Sequence, residues 1–468
     1  MESFTITIHD PSVKQVLPLT NCSDDYHFGK LDIKIADNIP LIMTEQYIHF
    51  TIDCSGSMED ICKDKRTKLD HLKFTLKNML HWLVTNSVNV FVSVDAFDSS
   101  IHHIVPFNKL TKDNIESIID AIYSIRADAL TNIELALKNA KEKINAESIM
   151  NTNLTINEIF LTDGEATQGE DSSKKLLLLI DDNFNYTFVG FGDNHDDEML
   201  TQLANCKNGD YRFIDAIEKS SLVYGEVLNK IFNLAFNNVT ISIQGGEIYD
   251  YKTNSWSPTL YVGGLVGEEL RTFHLRTMAP DLIKAELSGL DMNNNHVTYN
   301  CNLANYADIN SYIFRQRVQE LLFISKNEIH KIPNNYRVFR FNNDTNNTNN
   351  NKTAKEQIKQ LLNQIKDYMA TNNMFDDKFL ILLCDDLYVA YKSYDYSYGR
   401  MYINARLTSQ GAQQVYSANL NVDNNNDNLF DNINNYRTMS AKDSPYKTPK
   451  RAKIMRDVSS GTNAEDDI

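Results

Sequence analysis

Tyr47-Ile-His-Phe-Thr-Ile-Asp53-Cys-Ser55-Gly-Ser57 is the stretch that decides the fold. An apolar run rich in Ile and Phe reads as an interior strand. It ends abruptly in one carboxylate and two hydroxyls, so Asp-x-Ser-x-Ser puts three oxygen ligands in one tight loop. Open parallel sheets bind ligands at the carboxyl ends of their strands, and these side chains are half of such a site.

Working outward, strands and helices alternate from Gln46 to about Phe236, the signature of a doubly wound sheet. Leu69, Leu72, Leu76, Met79, Leu80 and Leu83 recur at helical spacing, and a strand follows over 89–97. Ile115, Ile118, Ile119 and Ile122 predict a second helix; Ile133, Ala136, Leu137, Ala140 and Ile144 predict a third, entered through Leu130-Thr131-Asn132. A strand over 158–162 ends in Asp163-Gly164, and further repeats follow through 186–192, 199–203 and 211–214. Three loops at one sheet edge thus supply Asp53, Ser55, Ser57, Thr131 and Asp163. Two carboxylates and three hydroxyls, completed by water, suit the octahedral shell at ~2.1 Å that Mg²⁺ demands.

This set resembles the von Willebrand factor A domains with a metal-ion-dependent adhesion site, whose motif is Asp-x-Ser-x-Ser, then Thr, then Asp. The resemblance implies a Mg²⁺ (or Mn²⁺) cofactor held by Asp53, Ser55, Ser57 and Thr131, with Asp163 often acting through a hydrogen-bonded ligand. It also implies that a partner protein offers an acidic residue to the open position. Ala129-Leu130 departs from the small residues usual before the Thr, and Leu130 narrows the mouth. The expected fold class is α/β: a doubly wound, mostly parallel, Rossmann-like sheet with an accessory antiparallel β-domain and a C-terminal helical region.

The flanks complete that layout. Alternation at Phe4–Ile8 and at Leu31, Ile33 and Ile35 predicts strands in 1–45, around a turn at 21–25, too few to fold alone; they are expected to join the accessory β-domain. The A domain spans 46–236, a sandwich-like β-domain 237–305, a helical region 306–402 with an Asn-rich loop at 342–351, and a polar, partly disordered tail 403–468. This arrangement resembles the A-domain portion of plant wavy-growth RING ubiquitin ligases, through Tyr398-Gly-Arg400 and Tyr446-Lys-Thr448-Pro449. No Cys/His array of a RING is present, so ligase activity does not carry over.

With 468 residues, 42% hydrophobic and 23% charged, the chain is that of a globular protein of two or three domains. Its net charge of −16 argues against general affinity for nucleic acid or anionic membrane. Six cysteines without zinc spacing read as reduced thiols. The start lacks a secretory signal and no apolar run reaches ~18 residues. Together these give an intracellular, cytoplasmic expectation, with Lys447, Lys450, Arg451 and Lys453 allowing a nuclear address.

Other features read more plainly. Glu59, Asp60, Asp64, Asp128, Glu165, Glu170 and Asp171 fall in loops that rim the site; they read as a solvated acidic surface, the alternative being a rim that selects a partner carboxylate set in a neutral or basic patch. His102-His103 is a surface pair with no third ligand at suitable spacing, and Asp376-Asp377 and Asp385-Asp386 take cap or surface roles. The tyrosines from Tyr388 to Tyr402 are expected to pack against the β-domain. The function expected is a non-catalytic protein-interaction module. Alternatives are a structural role in a virion or large complex and, less favoured, an adaptor in ubiquitin ligation. A metal-dependent hydrolase is disfavoured, since no general base accompanies the ion.

Overall fold

The chain divides its hydrophobic residues among an α/β layer, a pair of β-sheets and a helical bundle. These are seen in a computed structural model that describes residues 1–20, 25–36, 45–62, 65–86, 89–151, 154–192, 195–216, 219–330, 353–396, 398–416 and 443–460. The loop expected at 342–351, most of the turn at 21–25, and Asp64 lie outside them.

Strands β1 (Ser3–His9) and β2 (His27–Lys34) precede the α/β unit. That unit comprises β3 (Gln46–Asp53), α1 (Lys68–Asn86), β4 (Val90–Phe97), β5 (Ile101–Lys109), α2 (Ile115–Tyr123), α3 (Ile133–Met150), β6 (Thr155–Thr162), α4 (Ser173–Leu176), β7 (Asn185–Phe191), α5 (Asp197–Leu203), β8 (Gly209–Ile214) and α6 (Ser220–Phe232). The sheet order is β5-β4-β3-β6-β7-β8, parallel except for β5. Central placement explains why every residue of β3 is buried, the polar His49 and Thr51 included, since both of its faces are covered. Ile48, Phe50 and Ile52 pack with α1, α2 and α6, while Tyr47 packs on the face of α3 and α5. The sequence reading missed β5: this edge strand carries Pro106 and exposed His102 and His103, so its alternation is weak.

Eight more strands follow: β9 (Leu234–Gln244), β10 (Glu247–Asp250), β11 (Ser255–Ser257), β12 (Thr259–Val266), β13 (Leu270–Thr277), β14 (Lys284–Asp291), β15 (His296–Cys301) and β16 (Ala304–Ala307). They make one sheet of order β12-β9-β14-β15 and another of order β11-β10-β13-β2-β1-β16. The N-terminal strands lie inside the second sheet, β2 antiparallel to β13 and β1 parallel to β16. Ile6, Ile8, Leu31 and Ile33 share a core with Val239, Ile241 and Leu287.

Helices α7 (Asn310–His330), α8 (Ala354–Thr371), α9 (Lys378–Ser393) and α10 (Gly399–Ala412) form the bundle, with Val318, Leu322, Ile358, Leu362 and Leu383 in its core. Asp377 caps α9. Asp385 and Asp386 are neither caps nor surface groups: both are buried, and Arg406 of α10 donates to them at 2.6 and 3.2 Å. A buried carboxylate needs such a partner. The tyrosine run also departs from expectation, because Tyr402 meets Phe213 of β8 edge-on and Arg400 donates to Asp197 at 2.7 Å. Tyr398 and Tyr402 therefore dock the bundle onto the α/β unit, while Tyr391 and Tyr394 pack in the bundle itself. Gly399 permits the turn before α10, where a β-carbon would lie 2.1 Å from the Ser393 carbonyl oxygen.

Inside the expected tail, α11 (Pro449–Ser459) is an ordered helix packed on α6 and α1. Thr448 caps it by accepting from the Arg451 amide, and Pro449 starts it. Met455 lies over Gly225 so closely that a β-carbon there would be 2.7 Å from its Cα. Among the described residues no helix is long and apolar enough to cross a membrane.

Candidate metal centre

Asp53 closes β3 and is fully buried. Its carboxylate accepts from the Ser55 amide at 2.8 Å and from the Thr162 hydroxyl at 2.5 Å. Burial pushes its pKa up to about 6, with the charge of nearby Asp163 adding to the rise and the bonds from Ser55 and Thr162 opposing it. Ser55 and Ser57 follow on a single 3-10 turn, their hydroxyls 3.2 Å apart. Ser57 Oγ donates to Asp163 Oδ1 at 2.6 Å, which ties the first loop to the end of β6.

The Thr131 loop is clamped by its backbone. The Asp128 amide donates to the Cys54 carbonyl at 2.9 Å, Gly56 to Ala129 at 3.1 Å, and Asn132 to Asp98 at 3.0 Å. Ala129 takes the left-handed φ of 59° that this turn requires. Thr131 is buried, and its carbonyl accepts from the Thr167 and Gln168 amides. A β-carbon on Gly164 would stand 3.6 Å from Thr131 Oγ1 and 3.9 Å from Ser57 Oγ, so both hydroxyls border the space that Gly164 leaves open. All five expected residues are thus gathered at one edge. Their oxygen donors fit a hard divalent cation such as Mg²⁺ or Mn²⁺.

Sequence reasoning missed a sixth participant. Lys68, at the start of α1, donates to Asp163 Oδ2 at 2.7 Å and to Asp60 at 2.8 Å. Burial disfavours its charge, but the bonds to Asp163 and Asp60 outweigh that and raise its pKa. A lysine at a helix start carries no motif, so only the folded chain reveals it. The acidic rim is correspondingly weaker than its composition, with Asp60 paired to Lys68 and Glu170 to Lys175. Leu130 is 54% exposed beside Thr131.

His102 does find further potential ligands. Its imidazole bonds Asp98 at 2.9 Å, and Cys54, Asp98 and His102 bring their ligand atoms within 4.8 Å of one another. The sheet register, β3 beside β4, makes that group; spacing along the chain could not. Burial first, then the charges of Asp98, Asp53 and Asp128, push the Cys54 thiol up to about 12, so it stays protonated.

Residues 48–224 match the family model of the von Willebrand factor type A domain. Among solved structures, a von Willebrand factor type A protein from Catenulispora acidiphila aligns with a TM-score of 0.53 at 14% identity, over 81% of this chain and 88% of that one. The ArnB paralog VWA2 from Sulfolobus acidocaldarius gives 0.47 at 14% identity, over 87% and 99%. No curated protein sequence matches the chain. The α/β unit of this chain thus has the fold of a von Willebrand factor type A domain and matches that family's model over residues 48–224.

Proposed function

We propose that the A domain is a non-catalytic interaction module in which Asp53, Ser55, Ser57, Thr131 and Asp163 hold Mg²⁺ or Mn²⁺ for a carboxylate of a partner protein. The observation that carries this reading is the convergence of the three loops, above all Ser57 on Asp163 at 2.6 Å with Gly164 leaving space beside Thr131. When bound, the ion supplies a Lewis-acid position for an outside oxygen. The chain's own residues do the rest: Asp53 and Asp163 supply negative charge, the hydroxyls supply neutral donors, and the backbone clamps fix the loops.

Lys68 holds a positive charge at Asp163, which keeps the paired carboxylates tolerable. Exposed Leu130 and Ile61, 54% and 75% exposed, supply apolar contact on the same side of the unit. The partner is therefore a protein with one carboxylate set in an apolar, neutral or basic patch, and the sandwich and bundle are its rigid base. A role in ubiquitin ligation would be that of an adaptor. The test is capture of partners from a lysate of the source cells with and without EDTA, repeated with Asp163→Ala. Capture lost in both supports the reading; capture surviving both refutes it.

A further inference from the structure

A cavity of about 900 Å³ opens where the α/β unit, the β-sandwich and the bundle meet, on a different side from the metal edge. That volume is in the range of organic-ligand sites and far beyond what a lone ion fills. β8 and α6 line one side, the turn after β10 and strand β13 another, α7 and α10 a third, and Arg451 of α11 closes part of the wall.

The wall is cationic in an acidic protein. It carries eight Lys and Arg against six Asp and Glu, while the whole chain has a net charge of −16. Three of those acids are consumed locally: Asp210 and Glu226 by Arg212 at 2.9 and 2.8 Å, Glu269 by Arg451 at 2.8 Å. Lys252 is left with no ion pair among the described residues. Arg271, also on the wall, reaches Glu269 only at 3.9 Å and keeps its side chain 14% exposed. After these pairings the positive charge left on the wall falls to side chains such as Lys252 and Arg271, and an anion is the ligand that balances it.

Lys252 sharpens this. It is exposed by area, yet surrounding protein desolvates it and lowers its pKa, because the surface it exposes is cavity wall. Tyr251 and Tyr261 add ring surface to the same space, and Tyr251 lies against Gly411, where a β-carbon would be 2.3 Å from the ring.

We propose that this cavity binds an organic anion of about nucleotide size, its negative groups against Lys252 and Arg271 and its body against the rings of Tyr251 and Tyr261. The metal edge takes no part.

Calorimetry of the full chain with ATP, pyrophosphate and citrate, in EDTA at fixed ionic strength, tests it, alongside native mass spectrometry of the purified protein. ATP binding at one site, weakened about tenfold or more by Lys252→Glu and unchanged by Asp163→Ala, is the expected result. Citrate binding with the same pattern also supports it. Pyrophosphate binding as tightly as ATP would overturn the role of the rings. Binding to none of the three, with no small molecule retained, overturns the proposal. So does binding that Lys252→Glu leaves intact, or binding that Asp163→Ala abolishes, which would place the anion at the metal edge. Lys252 makes no ion pair among the described residues and keeps exposed surface, so circular dichroism of Lys252→Glu should match that of the native chain.

Discussion

Two polar clusters lie on the same face of β3, four residues apart, and each is built from two carboxylates and a lysine. At the sheet edge Asp53 and Asp163 meet Lys68. Inside, Asp95 and Glu158 flank His49, whose Nε2 is 3.7 and 3.9 Å from them, and Lys143 donates to Asp95 at 2.7 Å. The edge cluster has a hydroxyl or amide for nearly every oxygen and lies in loops. The inner cluster is sealed beneath α3, with Glu158 Oε2 and His49 Nε2 left without partners. Burial pushes Glu158 up to about 8 and His49 down to about 3, so both are neutral at pH 7. The same inventory thus makes an edge fit for a cation where oxygens and access are supplied, and a neutral core where they are not.

The largest expected contrast comes from removing one carboxylate at each place. Asp163→Ala takes a charged ligand from the edge, and Mn²⁺ affinity by calorimetry should fall about 100-fold or more, with the circular dichroism unchanged. Glu158→Gln should leave metal affinity intact and instead change stability with pH. The folded-state pKa of Glu158 is raised, so its contribution is fully present below about 4.5 and is lost as pH rises through about 8. The variant should therefore gain on the native chain from pH 5 to pH 8, by about 2 to 4 kcal/mol in denaturant unfolding. Parallel pH curves for the two proteins would mean that Glu158 is ionised in the core.

Exchanging each lysine for methionine sharpens the difference further. Lys143→Met leaves Asp95, among the described residues, with hydrogen bonds to His103 and Asn139 at 3.0 and 2.7 Å, and should destabilise the chain by about 2 kcal/mol. Lys68→Met removes a cation that competes with a metal for Asp163. Metal affinity should rise several-fold, about 1 kcal/mol. A fall in affinity would make Lys68 an organiser of the site instead of a competitor.

Much of this was legible in the sequence, for a physical reason. The edge residues sit where a strand ends or a helix starts, and those boundaries are marked by apolar runs stopping at Asp53 and Asp163 and by Asn132, whose side chain caps α3. The doubly wound order follows from the same periodicities. What was illegible depends on pairing across the fold. Lys68 carries no local signal, and Cys54, Asp98 and His102 meet only through the β3–β4 register. The buried ion pair of Arg406 with Asp385 and Asp386 joins two helices whose sequences show charged residues like any surface. In α11 the apolar residues are few, Ile454, Met455 and Val458, amid basic neighbours, so composition suggested a loose tail. Thr448-Pro449 was the available sign of a helix start, and the cleft over Gly225 that receives Met455 could not be seen from either segment alone.

The smallest expected effect separates the ion from the surface around it. Leu130 belongs to the loop that carries Thr131, but its side chain points to solvent and ligates nothing. Large apolar residues exposed beside a polar site gain free energy when a partner covers them, at about 25 cal/mol per Å². Leu130→Ala should therefore leave Mn²⁺ affinity unchanged and weaken partner capture several-fold, about 1 kcal/mol. If metal affinity fell as well, the side chain would be shaping the Ala129 turn, whose φ of 59° already holds the loop in a costly conformation. If capture held while metal affinity also held, the partner would contact the edge from the side of Ile61, and the same substitution there would carry the loss.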